Sequence, residues 1–365
     1  MKGSLAKLRQ HFDWPLFISI LILSVVGLAN LHSATSATSM TLTKQQFVWV
    51  GLGFLVFFIS AALDYRILNQ LAYPLYGIGV ASLVAVLLFG RSVNASTRWL
   101  QFGGMVFQPS EVMKVLLIVA LAKYLNDDPV VEGRSLKHLL IPIAVVGLPV
   151  VLILRQPDLG TAMLIFLLFL SVMMLTKLKL RSMITLFISA VVSLPLSWSY
   201  LLKDYQKQRV YTFLDPSSDP SGAGWQVRQS LAAIGSGGPS GKGYMQGTQN
   251  QLHFLPERWT DFPFSVWAEE WGFVGSVLLL GVYLFIILWA VKLASEARDR
   301  FGAVLCVGVA ALIFWHTVIN VGMVTGLAPV VGVTLPLISY GGSSVLTIMC
   351  GLGLLMNVSI RKTSY

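Results

Sequence analysis

The sequence of 365 residues predicts an all-α polytopic membrane protein, with about ten transmembrane helices and one long extracytoplasmic loop between the seventh and eighth. Three observations predict it. The chain is 55% hydrophobic and only 12% charged, where a soluble domain carries about 25% charged residues, so it lacks the polar material for a solvated shell. Apolar runs of about 18 residues or more recur, each long enough to cross about 30 Å of hydrocarbon, and none shows the alternating polarity of a barrel strand. One stretch, 203–263, breaks this pattern with Gly, Arg, Lys, Trp and acids.

Taken in order, the expected spans are 15–32, 45–63, 70–89, 109–125, 138–154, 159–176, 182–202, 264–293, 302–325 and 341–360. The first is followed by small residues, but it is long for a signal peptide and nine more spans follow, so it is read as a span. Fifteen Lys and Arg fall in short loops on one side, against Lys44, Arg91, Arg98 and Arg155 on the other. That asymmetry predicts both termini in the cytoplasm and the 203–263 loop outside. The eighth span is longer than a bilayer needs, so its first turns, from Phe264, are expected at the outer interface, with Trp259, Trp267 and Trp271 in an aromatic belt. The whole of 1–365 reads as one membrane domain.

The net charge of +10 fits basic loops beside anionic membrane lipids, not nucleic-acid binding. Cys306 and Cys350 both lie in apolar runs and are read as inert core thiols. No metal-ligand cluster has recognisable spacing, and Asp215 and Asp219 in DPSSDPSG read as turn residues. A divalent cation, Mg or Mn, is the one cofactor left open.

Charged residues inside spans are costly and need a partner or a cavity. Glu111 and Lys114, in QPSEVMKV, share a helical face at i,i+3 spacing. They read equally as a structural ion pair or as an acid and a base facing a substrate. Pro109 and Ser110 make an ordinary helix start. Asp158, in RQPD, fits a capping residue in a tight hairpin. Glu269 and Glu270 open the eighth span and point about 100° apart, so they cannot share one solvated face. The stretch 234–243, IGSGGPSGKG, fails the Walker pattern twice, with Ser236 in place of the first Gly and Gly243 in place of Ser or Thr. It reads either as a flexible loop or as a backbone that meets an anionic group beside Lys242. Arg209, Arg228, Lys242 and Arg258 crowd the same loop, with Arg98 in the 90–108 loop. They suit lipid phosphates or a phosphorylated substrate at the membrane surface. Asp261 has two readings: the N-cap of the next helix, or a general base at the mouth of a membrane cavity, its pKa raised by burial.

Four blocks carry a resemblance: RWLQFGGMVFQPSEVMK at 98–114, RQPDLGTA at 155–162, IGSGGPSGKGYMQGTQNQLHFLPERWTDFPFSVWAEEWGFVG from 234, and GLAPVVGVTLPLISYGGSS at 326–344. In this order they closely resemble the SEDS family (shape, elongation, division and sporulation), and the likeness covers essentially the whole chain. The short tails are most like the elongation-type member; division-type members usually carry longer ends. The resemblance implies ten transmembrane helices in the bacterial cytoplasmic membrane and a peptidoglycan glycosyltransferase. Such an enzyme joins lipid II units through β-1,4 bonds and releases undecaprenyl pyrophosphate. It implies a class B penicillin-binding protein as partner, docked on the eighth or ninth span near Val282 or Val309 and on the outer loop, together with other elongation-complex proteins. The family's essential aspartate falls on Asp261 in Thr260-Asp261-Phe262. Glu111 and Lys114 fall on its central cavity, and Asp158 on its RQPD aspartate. The candidate substrate-binding set is Arg98, Trp99, Glu111, Lys114, Asp158, Arg209, Arg228, Lys242, Thr260, Glu269 and Glu270. Pro263 departs from the pattern, standing where an apolar β-branched residue is usual. The second functional class to be weighed is a lipid II flippase.

Overall fold

A computed structural model describes residues 12–36, 40–93, 96–102, 105–128, 133–176, 204–220 and 222–362, with scattered positions between 179 and 199. Most of the expected span at 182–202 lies outside the described residues. Among the described residues, the α-helices with defined bounds are α1 (Trp14–Thr35), α2 (Thr41–Ala62), α3 (Tyr65–Phe89), α4 (Pro109–Asp127), α5 (Leu136–Arg155), α6 (Leu159–Met173), α7 (Asp204–Leu214), α8 (Ala223–Gly237), α9 (Thr248–Gln251), α10 (Pro263–Ser295), α11 (Arg300–Val324) and α12 (Gly342–Arg361). Seven of them, α1, α2, α3, α5, α10, α11 and α12, are long and apolar enough to cross a membrane. The apolar α6 is shorter, and α4 spans 19 residues while carrying the buried Glu111 and Lys114.

Among the described residues, the departure from helical structure is the loop 90–108. It folds as three short antiparallel strands, β1 (Arg91–Val93), β2 (Ser96–Phe102) and β3 (Met105–Phe107), in the order β1-β2-β3. The pairing presents Arg98 and Trp99, on β2, to the centre of the protein.

The bundle is layered. α11 and α12 form the interior, buried over most of their length, while α2, α3, α5 and α10 leave most of theirs open to the bilayer. α12 is fixed by polar side chains that complete a neighbouring helix. Asn357 donates to the carbonyl of Ser60 at 2.6 Å and Arg361 to those of Ala61 and Ala62 at 3.1 and 2.8 Å. These are the carbonyls that the C-terminus of α2 cannot satisfy within the helix. Asp13 ties the other end of the chain in, capping α1 and accepting from Trp289 Nε1 and Ser359 Oγ, each at 2.8 Å.

α10 is not one straight rod. Gly272 has φ 63° and ψ −159°, breaking it into an outer piece up to Trp271 and the long apolar piece beyond. The glycine-rich stretch 234–243 docks into that break. Lys242 N and Gly243 N donate to the carbonyls of Glu269 and Glu270, each at 3.0 Å. In return Phe273 N and Val274 N donate to those of Gly238 (2.9 Å) and Pro239 (3.1 Å). A break in a helix frees backbone groups that must be paired when buried, and this loop pairs four of them. The close approach explains the glycines: a Cβ at Gly241, itself at φ +81°, would lie 2.1 Å from the Glu270 carbonyl oxygen. The expectation of an anion-binding or flexible loop is therefore replaced by a structural splint. Trp267 also leaves the expected aromatic belt. It is buried, stacks on Trp271, and donates from Nε1 to the Gly275 carbonyl across the break.

Candidate active site

A cavity of about 1080 Å³ opens among α2, α4, α6, α7, α11, β2 and the segments around 257–261 and 330–344. Asp261 is on its wall, with Thr260 and Glu257 beside it. Asp261 is not the cap of the next helix. α10 begins at Pro263 with Phe262 as the N-cap residue, and no side chain makes the capping bond. Pro263 takes the first helical position, which suits a residue without an N–H, and its carbonyl accepts from Asn30 Nδ2 at 2.9 Å. The unusual residue thus serves the helix start and leaves the motif's path intact.

The Asp261 backbone is pinned from two sides. Its N–H donates to the Glu257 carbonyl at 3.0 Å, and its own carbonyl accepts from Asn320 Nδ2 at 3.0 Å. The same Asn320 amide donates to the Val333 carbonyl at 2.7 Å, joining the Asp261 turn to the 330–334 segment. The carboxylate lies against Gly332, where a Cβ would meet Oδ2 at 3.5 Å. Burial raises the Asp261 pKa first and the negative charge of Glu257 second; Arg209, the Thr260 hydroxyl and Arg98 pull the other way, and the result is about 6 against an ordinary 3.8. A carboxylate poised there is ionised at neutral pH yet a stronger base than a free aspartate.

Deeper in the cavity is a polar chain between helices. Lys114, fully buried, donates from Nζ to Glu111 Oε1 at 2.8 Å and lies 2.9 Å from His316 Nε2. His316 Nδ1 faces the Thr334 carbonyl at 2.9 Å. A carbonyl can only accept, so Nδ1 carries the hydrogen and Nε2 accepts from the ammonium. Glu111 and Lys114 form the ion pair of the first reading; of the two, only Glu111 lines the cavity, and Lys114 stands behind it. The other oxygen of Glu111, Oε2, is buried with no protein partner.

On the far wall Asp158 caps α6, accepting from Thr161 N at 3.2 Å, and also accepts from Thr161 Oγ1 (3.0 Å) and Gln108 Nε2 (3.2 Å). Arg98 lies 3.7 Å from Asp158 Oδ1 and donates to the Pro157 carbonyl. The capping reading of Asp158 is correct, and the residue faces the cavity as well.

The structure thus gathers Arg98, Trp99, Glu111, Asp158, Arg209, Thr260 and Asp261 around one space, with Lys114 directly behind Glu111. It takes four candidates elsewhere. Glu269 is fully buried beneath the glycine-rich loop, paired with Lys242 at 2.7 Å and accepting from Gln249 N at 3.0 Å. Glu270 is buried beside it and accepts from Ser33 Oγ. Arg228 donates to the Pro216 carbonyl at 3.2 Å, ordering the turn before α8. Glu269, Glu270 and Lys242 belong to the helix break and Arg228 to the loop scaffold; none of the four is on the cavity wall. Asp215 and Asp219 hold turns, as expected, accepting from Ser217 N (3.0 Å) and Gly222 N (2.8 Å).

Sequence reasoning missed Glu257, His316 and Asn320. The last two were findable: His316 and Asn320 are polar residues one turn apart within an otherwise apolar span, the pattern that marked Glu111 and Lys114. No group of three or more His, Cys, Asp or Glu that could hold a metal stands together among the described residues.

Fold and site together define a polytopic membrane protein with a large cavity into which charged side chains are set, a buried ion pair in its depth and a raised-pKa carboxylate on its wall. The chain belongs to the FtsW/RodA/SpoVE family: the family model, described as a cell cycle protein, matches residues 11–364. It is 39% identical over 354 residues to the peptidoglycan glycosyltransferase MrdB of Escherichia coli K12, covering 97% of this chain and 95% of that one. It is 34% identical over 360 residues to the probable peptidoglycan glycosyltransferase FtsW of Trichlorobacter lovleyi, covering 96% and 93%. Among solved structures it matches a chain of a peptidoglycan synthase complex, described as coordinating polymerization and crosslinking, with TM-score 0.85 and 35% identity over 98% of this chain and 100% of that one. It also matches the rod shape determining protein RodA of Thermus thermophilus, with TM-score 0.72 and 32% identity over 98% and 99%.

Proposed function

We propose that this protein is a peptidoglycan glycosyltransferase that polymerises lipid II, of the elongation type. The observation that carries the proposal is Asp261: freed from capping, held by its backbone on both sides, and set on the cavity wall with its pKa near 6. The reaction needs a base for the acceptor's 4-hydroxyl and positive charge for the departing pyrophosphate. The acceptor oxygen attacks the donor's anomeric carbon as its proton passes to Asp261. The bond from that carbon to the phosphate oxygen breaks, and the electron pair leaves on the lipid pyrophosphate. Arg98 and Arg209 are the cations that act on Asp261 and line the same cavity, so they are assigned to the pyrophosphate. Glu111 Oε2, lacking a partner in the cavity wall, accepts a substrate hydroxyl, an amide or a water.

The experiment is polymer formation from labelled lipid II by the purified protein with its partner in detergent. Detergent abolishes sidedness, so polymer there is catalysis, while a flippase gives none. The partner is proposed to be a class B penicillin-binding protein, docked by its membrane helix. Of the two spans expected to dock it, exposure favours α10 over α11. Val309 is buried against Gly351, whereas α10 presents Val277, Leu278, Leu284 and Leu288 outward. Crosslinks should therefore form from Leu284 and not from Val309. The proposed location is the bacterial cytoplasmic membrane with both termini inside. A cysteine at position 220 should react with an impermeant thiol reagent from outside and one at 296 should not; the reverse pattern overturns this orientation.

A further inference from the structure

Resting on the glycosyltransferase reading, we infer that Glu257 is a positioning residue for Asp261: its backbone gathers the turn that carries Asp261, and its carboxylate sets a second negative charge beside it in the cavity. Three independent features converge on it. Glu257 has φ +47°, a left-handed conformation that a residue with a side chain rarely adopts. Its carbonyl points forward along the chain and accepts from Thr260 N at 3.1 Å, Asp261 N at 3.0 Å and Phe262 N at 3.2 Å. Its side chain meanwhile lines the cavity, accepting at Oε2 from the Thr260 hydroxyl at 3.1 Å. A glycine would adopt the backbone more easily, so the turn by itself does not call for a glutamate.

The consequence follows from the charges that face Asp261. From its own turn come Glu257 and the Thr260 hydroxyl; from α7, Arg209; from β2, Arg98. The 330–334 segment contributes the backbone at Gly332 and no charge, and α11 contributes Asn320 on the Asp261 carbonyl. Glu111, Asp158 and His316 line the same cavity. Two arginines suited to a pyrophosphate also weaken any carboxylate near them as a base, because they favour its ionised form. Glu257 opposes that effect. It lets one cavity hold cations for the leaving group and still keep a competent base.

The test is Glu257→Gln in the full-length protein, which keeps the side chain's shape and removes its charge. Two readouts are compared with wild type: the midpoint of the Asp261 carboxyl by infrared difference titration, identified as the band missing from Asp261→Asn, and the acid limb of the polymerisation rate. Both should move to lower pH by about half a pH unit, the size of an exposed charge pair. The rate on the alkaline plateau should fall about twofold, as a weaker base predicts, with KM unchanged. Glu257→Gly, which the backbone favours, should give the same shift and serves if the Gln variant does not fold. A midpoint that stays put or rises in either folded variant overturns the inference. A wild type with the expected midpoint that makes no polymer at any pH would instead remove the glycosyltransferase reading and leave the electrostatic role of Glu257 standing.

Discussion

Replacing Asp261 with Asn should separate stability from activity in opposite directions. The wild-type carboxyl has a folded pKa of about 6 against 3.8. The folded state therefore holds the proton more tightly than the unfolded one. Its contribution is fully favourable below pH 3.8 and is lost as pH rises through 6. At pH 7 the ionised carboxylate then costs folding up to about 3 kcal/mol, at about 1.4 kcal/mol per pKa unit, less whatever the water in the cavity screens. Asn has the same shape and no charge to desolvate. The variant should melt at or above the wild-type temperature at pH 7, with the difference closing as the pH falls towards 4. Polymerisation should meanwhile drop by about 10²–10⁴, the usual size of general-base help. In wild type the rate should fall about tenfold per pH unit well below pH 6, where Asp261 is protonated. The assays are polymer yield at matched expression and thermal melts at pH 4 and 7. A helix cap predicts otherwise: Asn caps about as well as Asp, so stability would barely change at either pH and activity would be retained. A variant that melts lower at pH 7 and polymerises within about threefold of wild type, well short of the general-base factor, would refute the catalytic assignment.

Three further outcomes follow from the packing. Lys114→Met should destabilise by about 3–5 kcal/mol, because it strands a buried Glu111 carboxylate; the double variant with Glu111→Gln should recover much of the melting temperature. Gly241→Ala should cost about 2 kcal/mol or more in a thermal melt, since its Cβ would lie 2.1 Å from the Glu270 carbonyl at a φ of +81°. Gly235→Ala, with open space around its Cβ, is the neutral control. Arg98→Ala and Arg209→Ala should each lower turnover by up to about 10²–10³, while Arg228→Ala, away from the cavity, should stay within about threefold of wild type on the same scale of electrostatic stabilisation. Equal losses at all three arginines would remove the distinction drawn from the cavity wall.

What could be read from the sequence, and what could not, divides along a physical line. Membrane spans follow from composition over a window, so the apolar helices were legible, as was the polar loop between the seventh and eighth spans. Costly charges within a span are legible for the same reason: Glu111 and Lys114 stand out because hydrocarbon tolerates few like them. His316 and Asn320 met the same criterion and could have been found by it. The glycine-rich stretch was illegible for a different reason. Its glycines are required by backbone carbonyls that become available only because α10 breaks at Gly272, and nothing local to 234–243 announces a break nearly thirty residues later. The same holds for the basic residues. Arg209, Arg228 and Lys242 are equivalent as a cluster of charge, and only the fold sends Arg209 to the cavity while Lys242 answers Glu269.

Glu257 marks the limit most clearly. As a letter in LPERWTDF it is one more exposed acid, and solvation is the ordinary reading of such a residue. Its importance comes from a carbonyl that accepts from three of the amides that follow it, and from a carboxylate on the cavity beside Asp261. Neither is a property of residue type or spacing. A base at the membrane surface with a pKa near 6 requires burial and a like charge to prevail over two arginines. Burial is supplied by the cavity as a whole, but the like charge must come from a particular backbone geometry within hydrogen-bonding reach of the motif. Asp261 is thus marked in the sequence by its motif, while the raised pKa that would make it a stronger base comes from its burial in the cavity and from the turn that sets Glu257 beside it.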